Sequence, residues 1–279
     1  DRQILWVTYY RNLYNATHPS EINSPVSLSR NLLAWNQPGT NGLILPVNPS
    51  ASFLSILFAN ELWFTLGDMT MAEHCAMLRM IFSPRNSGSR MIKRLAEINL
   101  VNGDDEAALK YLRILDKTLL HKSWAEKRIP GQQTPRVKEW LEKKRRDIPT
   151  QDQLRSGNDA VTSLQNLVAS NAGNLRAYEY LLCYHLLSKD LRSFVEDYVP
   201  GKVSSPIFAE ALLIHLARQG NIRAEELIKY QIPVEIAKEF ADYTRLYEAK
   251  DTSLKEKYGK TYWFYYHFAT TEPGKESKP

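Results

Sequence analysis

Twice in this chain a Gly-Asp pair closes an apolar-periodic helix, and the two pairs, Gly67-Asp68 and Gly103-Asp104, stand thirty-six residues apart. Residues 56–84 and 92–124 align on those glycines. Ala72 then meets Ala108, and Ala59 and Asn60 meet Leu95 and Ala96. Each segment reads as a helix with apolar residues at i, i+3, i+4 and i+7, a turn, and a second helix. The glycine supplies a left-handed residue that ends the first helix. The aspartate caps the second. The small residue five places on lets the two helices approach closely.

Two weaker copies follow. LRAYEYLLCYHLLSKDLRSFVEDY places Leu181 and Leu182 on the core positions and Lys189-Asp190 in the turn. FAEALLIHLARQGNIRAEELIKY does the same with Leu212, Leu213 and Gly220-Asn221. The period lies close to the roughly 34 residues of a tetratricopeptide repeat. The pattern predicts an all-α protein of about twelve helices, arranged as a tetratricopeptide-like helical-hairpin array, a right-handed α-solenoid. An irregular helical bundle is the competing arrangement. Leu95, Ala96, Leu109, Leu112, Leu181, Leu182, Leu212 and Leu213 are expected in the core. The expected segments are an N-terminal helix with a long polar stretch over 1–48, the strong repeat pair over 49–150, the degenerate repeats with an aromatic cap over 151–269, and a disordered tail over 270–279.

With 43% hydrophobic and 24% charged residues, the 279-residue composition is globular. Twelve glycines are too few for a Rossmann-rich or all-β chain. The net charge of +5 is diluted along the sequence, so nucleic acid is not an expected partner. The densest basic run, Lys143-Lys144-Arg145-Arg146, reads as a solvated face. Cys75 and Cys183 lie in apolar helical stretches and are expected as buried free thiols. No run of 18 apolar residues appears, and a start at Asp1 without Met suggests a piece of a longer chain.

Chemistry-bearing motifs are absent. His18, His74, His121, His185, His215 and His267 form no HxxxH or HExxH pair, so no metal site is expected. GxSxG, GxxxxGK[ST] and GxGxxG do not occur. No catalytic residue and no cofactor are predicted, although catalysis by residues distant in sequence stays open. Asn15-Ala16-Thr17 matches a glycosylation sequon.

TYWFYYHF, residues 261–268, has six aromatic residues and a histidine. Six aromatic side chains carry on the order of 1,000 Å², more than the roughly 300–600 Å² apolar patch of a typical monomer. The block is therefore expected to close the end of the helical array. A sugar or peptide shelf on an edge of Trp263 or Tyr265, and a membrane-interface contact, are the alternatives. The long polar stretch supplies further candidate contacts in His18, Glu21, Asn23, Trp35, Asn36 and Asn41.

Four ordered blocks, NLVNGDDEAALKYLRILDKTLLHKSWA, NLRAYEYLLCYHLLSKDLRSF, FAEALLIHL and GKTYWFYYHF, resemble an uncharacterised family of Bacteroidetes membrane proteins with a C-terminal tetratricopeptide-like region. The resemblance covers nearly the whole chain. It implies membrane attachment through an N-terminal region outside this sequence and a place in the bacterial cell envelope, with the periplasmic side favoured. It implies no activity. The expected function is a non-catalytic scaffold that binds a peptide or protein partner. The alternative is a carbohydrate-binding or carbohydrate-processing domain built on the N-terminal polar stretch and exposed aromatics.

Overall fold

A computed structural model describes residues 53–82, 88–150 and 160–269. They are all-α: fourteen helices and, among the described residues, no strand. The described residues fall into two compact units, one running to Tyr178 and the other starting at Glu179.

The first unit begins with α1 (Phe53–Leu66) and α2 (Met69–Phe82), followed by α3 (Gly88–Asn102) and α4 (Asp105–Asp116). These are two antiparallel hairpins, with α2 lying against α3. Both connecting turns have the predicted geometry. Gly67 and Gly103 adopt φ of 89° and 82°, a region that strains any residue with a Cβ. The next amide, of Asp68 or Asp104, reaches back to the carbonyl of Trp63 or Asn99, 2.9 Å in each case. That is the six-to-one bond of a Schellman cap. The Asp68 and Asp104 carboxylates then accept the amides of Met71 and Ala107, again at 2.9 Å. Ala72 and Ala108 are fully buried, as the close crossing requires.

One residue at a core position of the repeat is polar. Asn60 is completely buried, where its counterparts are Ala96, Leu182 and Leu213. Its amide donates to the carbonyl of Ala72, and its oxygen accepts from Arg94 Nε at 3.1 Å. Arg94 also pairs with Glu61 and, at 3.0 Å, with Glu97, while its guanidinium lies 3.7 Å from the Phe64 ring centre. A buried charge without partners is strongly destabilising. Here every edge of the guanidinium is engaged, and the network ties α1, α2 and α3 together.

The unit continues through α5 (Lys122–Glu126), α6 (Pro135–Arg145), α7 (Ala160–Ser170) and the start of α8 (Leu175–Leu187). The last turn of a helix leaves four carbonyls without intrahelical partners. At α1 all four are met. Trp63 receives the Asp68 amide, Phe64 receives Lys144 Nζ at 3.4 Å, Thr65 receives Arg176 at 3.5 Å, and Leu66 receives Asn174 at 2.7 Å. At α3, Arg145 donates to Leu100 and Val101 at 2.8 and 3.0 Å. The basic run is thus not a plain solvated face. Its middle two residues hold α6 across the carbonyl ends of two other helices, where cations are favoured by the helix dipole. Burial and the nearby Arg176 charge push Lys144 down to about 8.

The second unit holds the rest of α8, α9 (Leu191–Asp197), α10 (Pro206–Arg218), α11 (Ala224–Lys229), α12 (Val234–Glu248), α13 (Leu254–Tyr258) and α14 (Tyr262–Phe268). Helices α9, α12 and α14 lie against α10, and α13 lies against α12 and α14. α10 is buried on every side along most of its length, Glu210 included, so it forms the centre. The turn geometry recurs. Lys189, Gly220, Gln231 and Lys250 have φ of 56°, 63°, 54° and 53°. Each is followed by an amide that bonds five residues back, to His185, Leu216, Leu227 and Leu246, at 2.8–3.0 Å.

Of the expected core residues only Leu109 is not buried; it is half-buried on α4, beside Ala108. The described residues alone hold more helices than the predicted twelve, and five of them have only five to seven residues. In the segment expected as the fourth copy, α11 buries none of its side chains. Both cysteines are free and buried, and burial holds the Cys183 thiol far above its ordinary range. Among the described residues no helix is long and apolar enough to cross a membrane.

Gly67 and Gly103 should respond differently to alanine. A Cβ on Gly67 would sit 2.1 Å from the carbonyl oxygen of Asp147, whereas one on Gly103 meets nothing within 4 Å. Gly103→Ala should cost about 1–2 kcal/mol from left-handed strain alone, and Gly67→Ala roughly 3 kcal/mol or more, because backbone must also move. Urea midpoints of the two variants measure this, and equal midpoints would disprove the close approach of residues 146–148 to the first turn.

Candidate interaction site

α14 carries most of the aromatic block, and its entry is fixed by polar contacts. Thr261 donates to the Tyr258 carbonyl at 2.8 Å and accepts the Phe264 amide at 3.3 Å. The buried carboxylate of Glu210 accepts the Tyr262 amide at 2.6 Å, and the Glu210 carbonyl accepts the Trp263 indole N–H at 2.9 Å. An acidic group at a helix N-terminus is favourable. Here it also docks α14 onto α10.

Of the inward-facing residues, Trp263 is completely buried and Tyr262 is 1% exposed. Trp263 packs among Phe240, Tyr243 and Tyr258, with ring centres 5.3–5.9 Å apart. The Tyr262 and Tyr265 hydroxyls donate to the carbonyls of Leu186 and Leu187 at 3.0 and 2.7 Å, covering the C-terminal end of α8. Burial drives Tyr262 well above its ordinary range and pushes Tyr265 up to about 12. Trp263 therefore offers no exposed edge to a ligand, since its indole N–H and both ring faces are engaged internally. Tyr265 is half-buried and its hydroxyl already has a partner.

The outward face is different. Tyr247, at the end of α12, is 40% exposed and stacks on His267 at 4.5 Å between ring centres. Phe268 meets the Tyr247 ring edge at 5.9 Å and stacks on Phe264 at 4.5 Å. Beneath them Tyr243 stacks on both Tyr247 and His267, and its hydroxyl lies 2.7 Å from His267 Nδ1. The result is a shelf of partly exposed rings on a fully buried aromatic floor. Burial pushes His267 below its ordinary range; its bond to the Trp263 carbonyl opposes this, and the Lys189 charge adds to it. At the side of the shelf Asp242 receives Lys257, Arg245 and Tyr258, which together hold its carboxyl far below the usual carboxylate range. Arg218 donates to the Tyr266 hydroxyl at 2.7 Å, and Lys189 donates to the Ala269 carbonyl.

The remaining candidates of the sequence, His18, Glu21, Asn23, Trp35, Asn36 and Asn41, lie outside the described residues, as do residues 270–279. The shelf itself was hidden in sequence because Tyr247 and His267 are twenty residues apart. A second pair also escaped notice. His185, 3% exposed, lies 2.9 Å from Asp197 and joins α8 to the end of α9. His74 is exposed while Cys75 is buried, so these neighbours face apart. Among the described residues no group of His, Cys, Asp and Glu is placed to hold a metal ion.

Comparison with known families adds one relation. The model of a family of unknown function, DUF6057, matches residues 27–269. The chain belongs to that family. No curated protein and no solved structure matches it. The matched range takes in every described residue, the whole aromatic block included, so the shelf of this DUF6057 chain lies within the family's shared region.

Two outcomes test the shelf and its floor. Trp263→Ala should lower stability by about 3–5 kcal/mol, a large part of a typical 5–15 kcal/mol, whereas His267→Ala should be mild; chemical denaturation decides between them. The second concerns pH. The folded pKa of His267 lies below the ordinary value of about 6.5, so the unfolded chain binds this proton more readily. The stabilising contribution is complete above about pH 6.5 and is lost as pH falls toward the folded value. His215, also lowered, first by burial and then by Arg218, acts in the same direction. The melting temperature should fall between about pH 7 and pH 5. His267→Gln should shrink that fall, and an unchanged pH profile would contradict the assignment.

Proposed function

We propose that this chain is a non-catalytic helical-repeat interaction module of a larger, membrane-attached bacterial envelope protein, and that it holds a peptide or protein partner on the Tyr247–His267–Phe268–Phe264 shelf. The reading takes the hairpins as tetratricopeptide-like units of a right-handed α-solenoid. It takes the source as the Bacteroidetes and the compartment as the periplasm, following the resemblance of the four sequence blocks. Repetition of one turn geometry in both units supports the repeat assignment.

The observation that carries the binding reading is the exposure of stacked rings over a buried, hydrogen-bonded floor. Aromatic side chains on a rigid base lose little conformational freedom when a ligand arrives, and such residues dominate binding energy at protein interfaces. Planar groups of a peptide, aromatic or proline, fit a face of this kind. The flanking Lys257, Arg245 and Arg218 are already committed to Asp242 and Tyr266, so the shelf selects by shape and stacking more than by charge.

A photo-crosslinking amino acid at position 247, expressed in the native host, tests the proposal. A discrete protein adduct should form from position 247 and not from exposed Glu139 on α6. Tyr247→Ala combined with Phe268→Ala should weaken recovery of the same partner about tenfold or more, the size expected for an aromatic hot spot. Adducts of equal yield from both positions would reject the shelf as the partner site. Labelling by glycans instead of protein would favour the carbohydrate alternative.

A further inference from the structure

The turn between α4 and α5 exposes more apolar side chain than any other described segment. Leu119 is 102% exposed and Leu120 89% exposed, with Ile114 at 48% just before them on α4. Single exposed apolar residues are ordinary. Two adjacent leucines held wholly in water on an ordered turn are not.

The turn is ordered by its own polar atoms. Thr118 donates through its hydroxyl to the Leu115 carbonyl at 2.7 Å and accepts the His121 amide at 3.3 Å. The Thr118 carbonyl accepts the Lys122 amide at 3.1 Å, starting α5. The His121 ring bonds through Nε2 to Ser89 Oγ at 2.6 Å, which pins the turn to the first turn of α3. With Thr118 and His121 turned inward, Leu119 and Leu120 are left at the tip.

The rim of this tip is basic. Arg113, Lys117 and Lys122 are exposed around the leucines, against a single acidic side chain, Asp116, between residues 113 and 122. One turn further, Trp124 is half-buried with Lys93 Nζ 4.9 Å and Arg128 4.1 Å from its ring centre. Leucines at a tip, cations around it and a tryptophan behind it suit the layers of a bilayer surface. Acyl chains take the leucines, anionic headgroups the cations, and the interface the indole.

We propose that the Leu119–Leu120 turn inserts into the surface of an anionic phospholipid bilayer. This contact lies in residues 39–178 and depends neither on the aromatic shelf nor on any membrane-spanning segment. It would lay the first unit against the membrane rather than merely near it.

Vesicle co-sedimentation of the 279-residue chain is the test. The chain should sediment with vesicles containing about one third phosphatidylglycerol and remain in solution with phosphatidylcholine alone, and added salt should weaken the binding. Leu119→Ser with Leu120→Ser, and separately Lys117→Glu with Lys122→Glu, should each reduce binding about tenfold or more while leaving the melting temperature unchanged. Failure of the wild-type chain to bind the anionic vesicles overturns the proposal. So does wild-type binding by the double-serine variant. A concentration-dependent dimer in analytical ultracentrifugation that the double-serine variant abolishes would assign the tip to a second copy of the chain instead.

Discussion

Six of the described helices end in one way: a left-handed residue, then an amide that bonds back to the carbonyl five residues earlier. The bond closes a turn tight enough to reverse the chain and satisfies a carbonyl that would otherwise lack a partner. At α1, α3 and α10 the residue is glycine; at α8, α11 and α12 it is Lys189, Gln231 and Lys250, each carrying a strain of roughly 1–2 kcal/mol that the packing on either side must offset. Everything else follows from these reversals. Because α1 and α2 are folded back by Gly67, Asn60 can reach Ala72; because α3 returns to the same place, Arg94 can reach Asn60 and Glu61.

How much of this was legible depended on which residue took the left-handed position. Gly67 and Gly103, each followed by aspartate, were readable because only glycine enters that region freely and aspartate is a common cap. Lys189 was readable only through its neighbour Asp190, which caps α9 by accepting the Ser193 amide. Gln231 and Lys250 carried no local signal, since their conformation is imposed by tertiary packing. Leu109 misled because α4 buries only one stripe, Ala108, Leu112 and Leu115, and Leu109 lies at its edge, whereas the adjacent pairs Leu95-Ala96, Leu181-Leu182 and Leu212-Leu213 sit on helices covered from more than one side.

The candidate site divides the same way. Burial of the aromatic block followed from its area alone. What area could not reveal is that one helix, α14, presents a sealed face through Trp263 and Tyr262 and a half-open one through His267 and Phe268. The open face is completed by Tyr247 from another helix. The sealed face also fixes the open one: Tyr243 bonds to both Trp263 and His267, so the position of the His267 ring at the surface is set by hydrogen bonds beneath it.

The contacts of Lys144 and Arg145 have a consequence for chemical modification. Ordinary surface lysines can be acetylated with little structural effect. Lys144 reaches the Phe64 carbonyl and lies 4.8 Å from the centre of the Phe64 ring, at the end of the helix that Gly67 closes. Acetylation there would remove a cation from a helix terminus and place a bulkier amide where α6 meets α1. In this protein a modification that elsewhere tunes partner affinity would instead act on whether the first hairpin holds its neighbours.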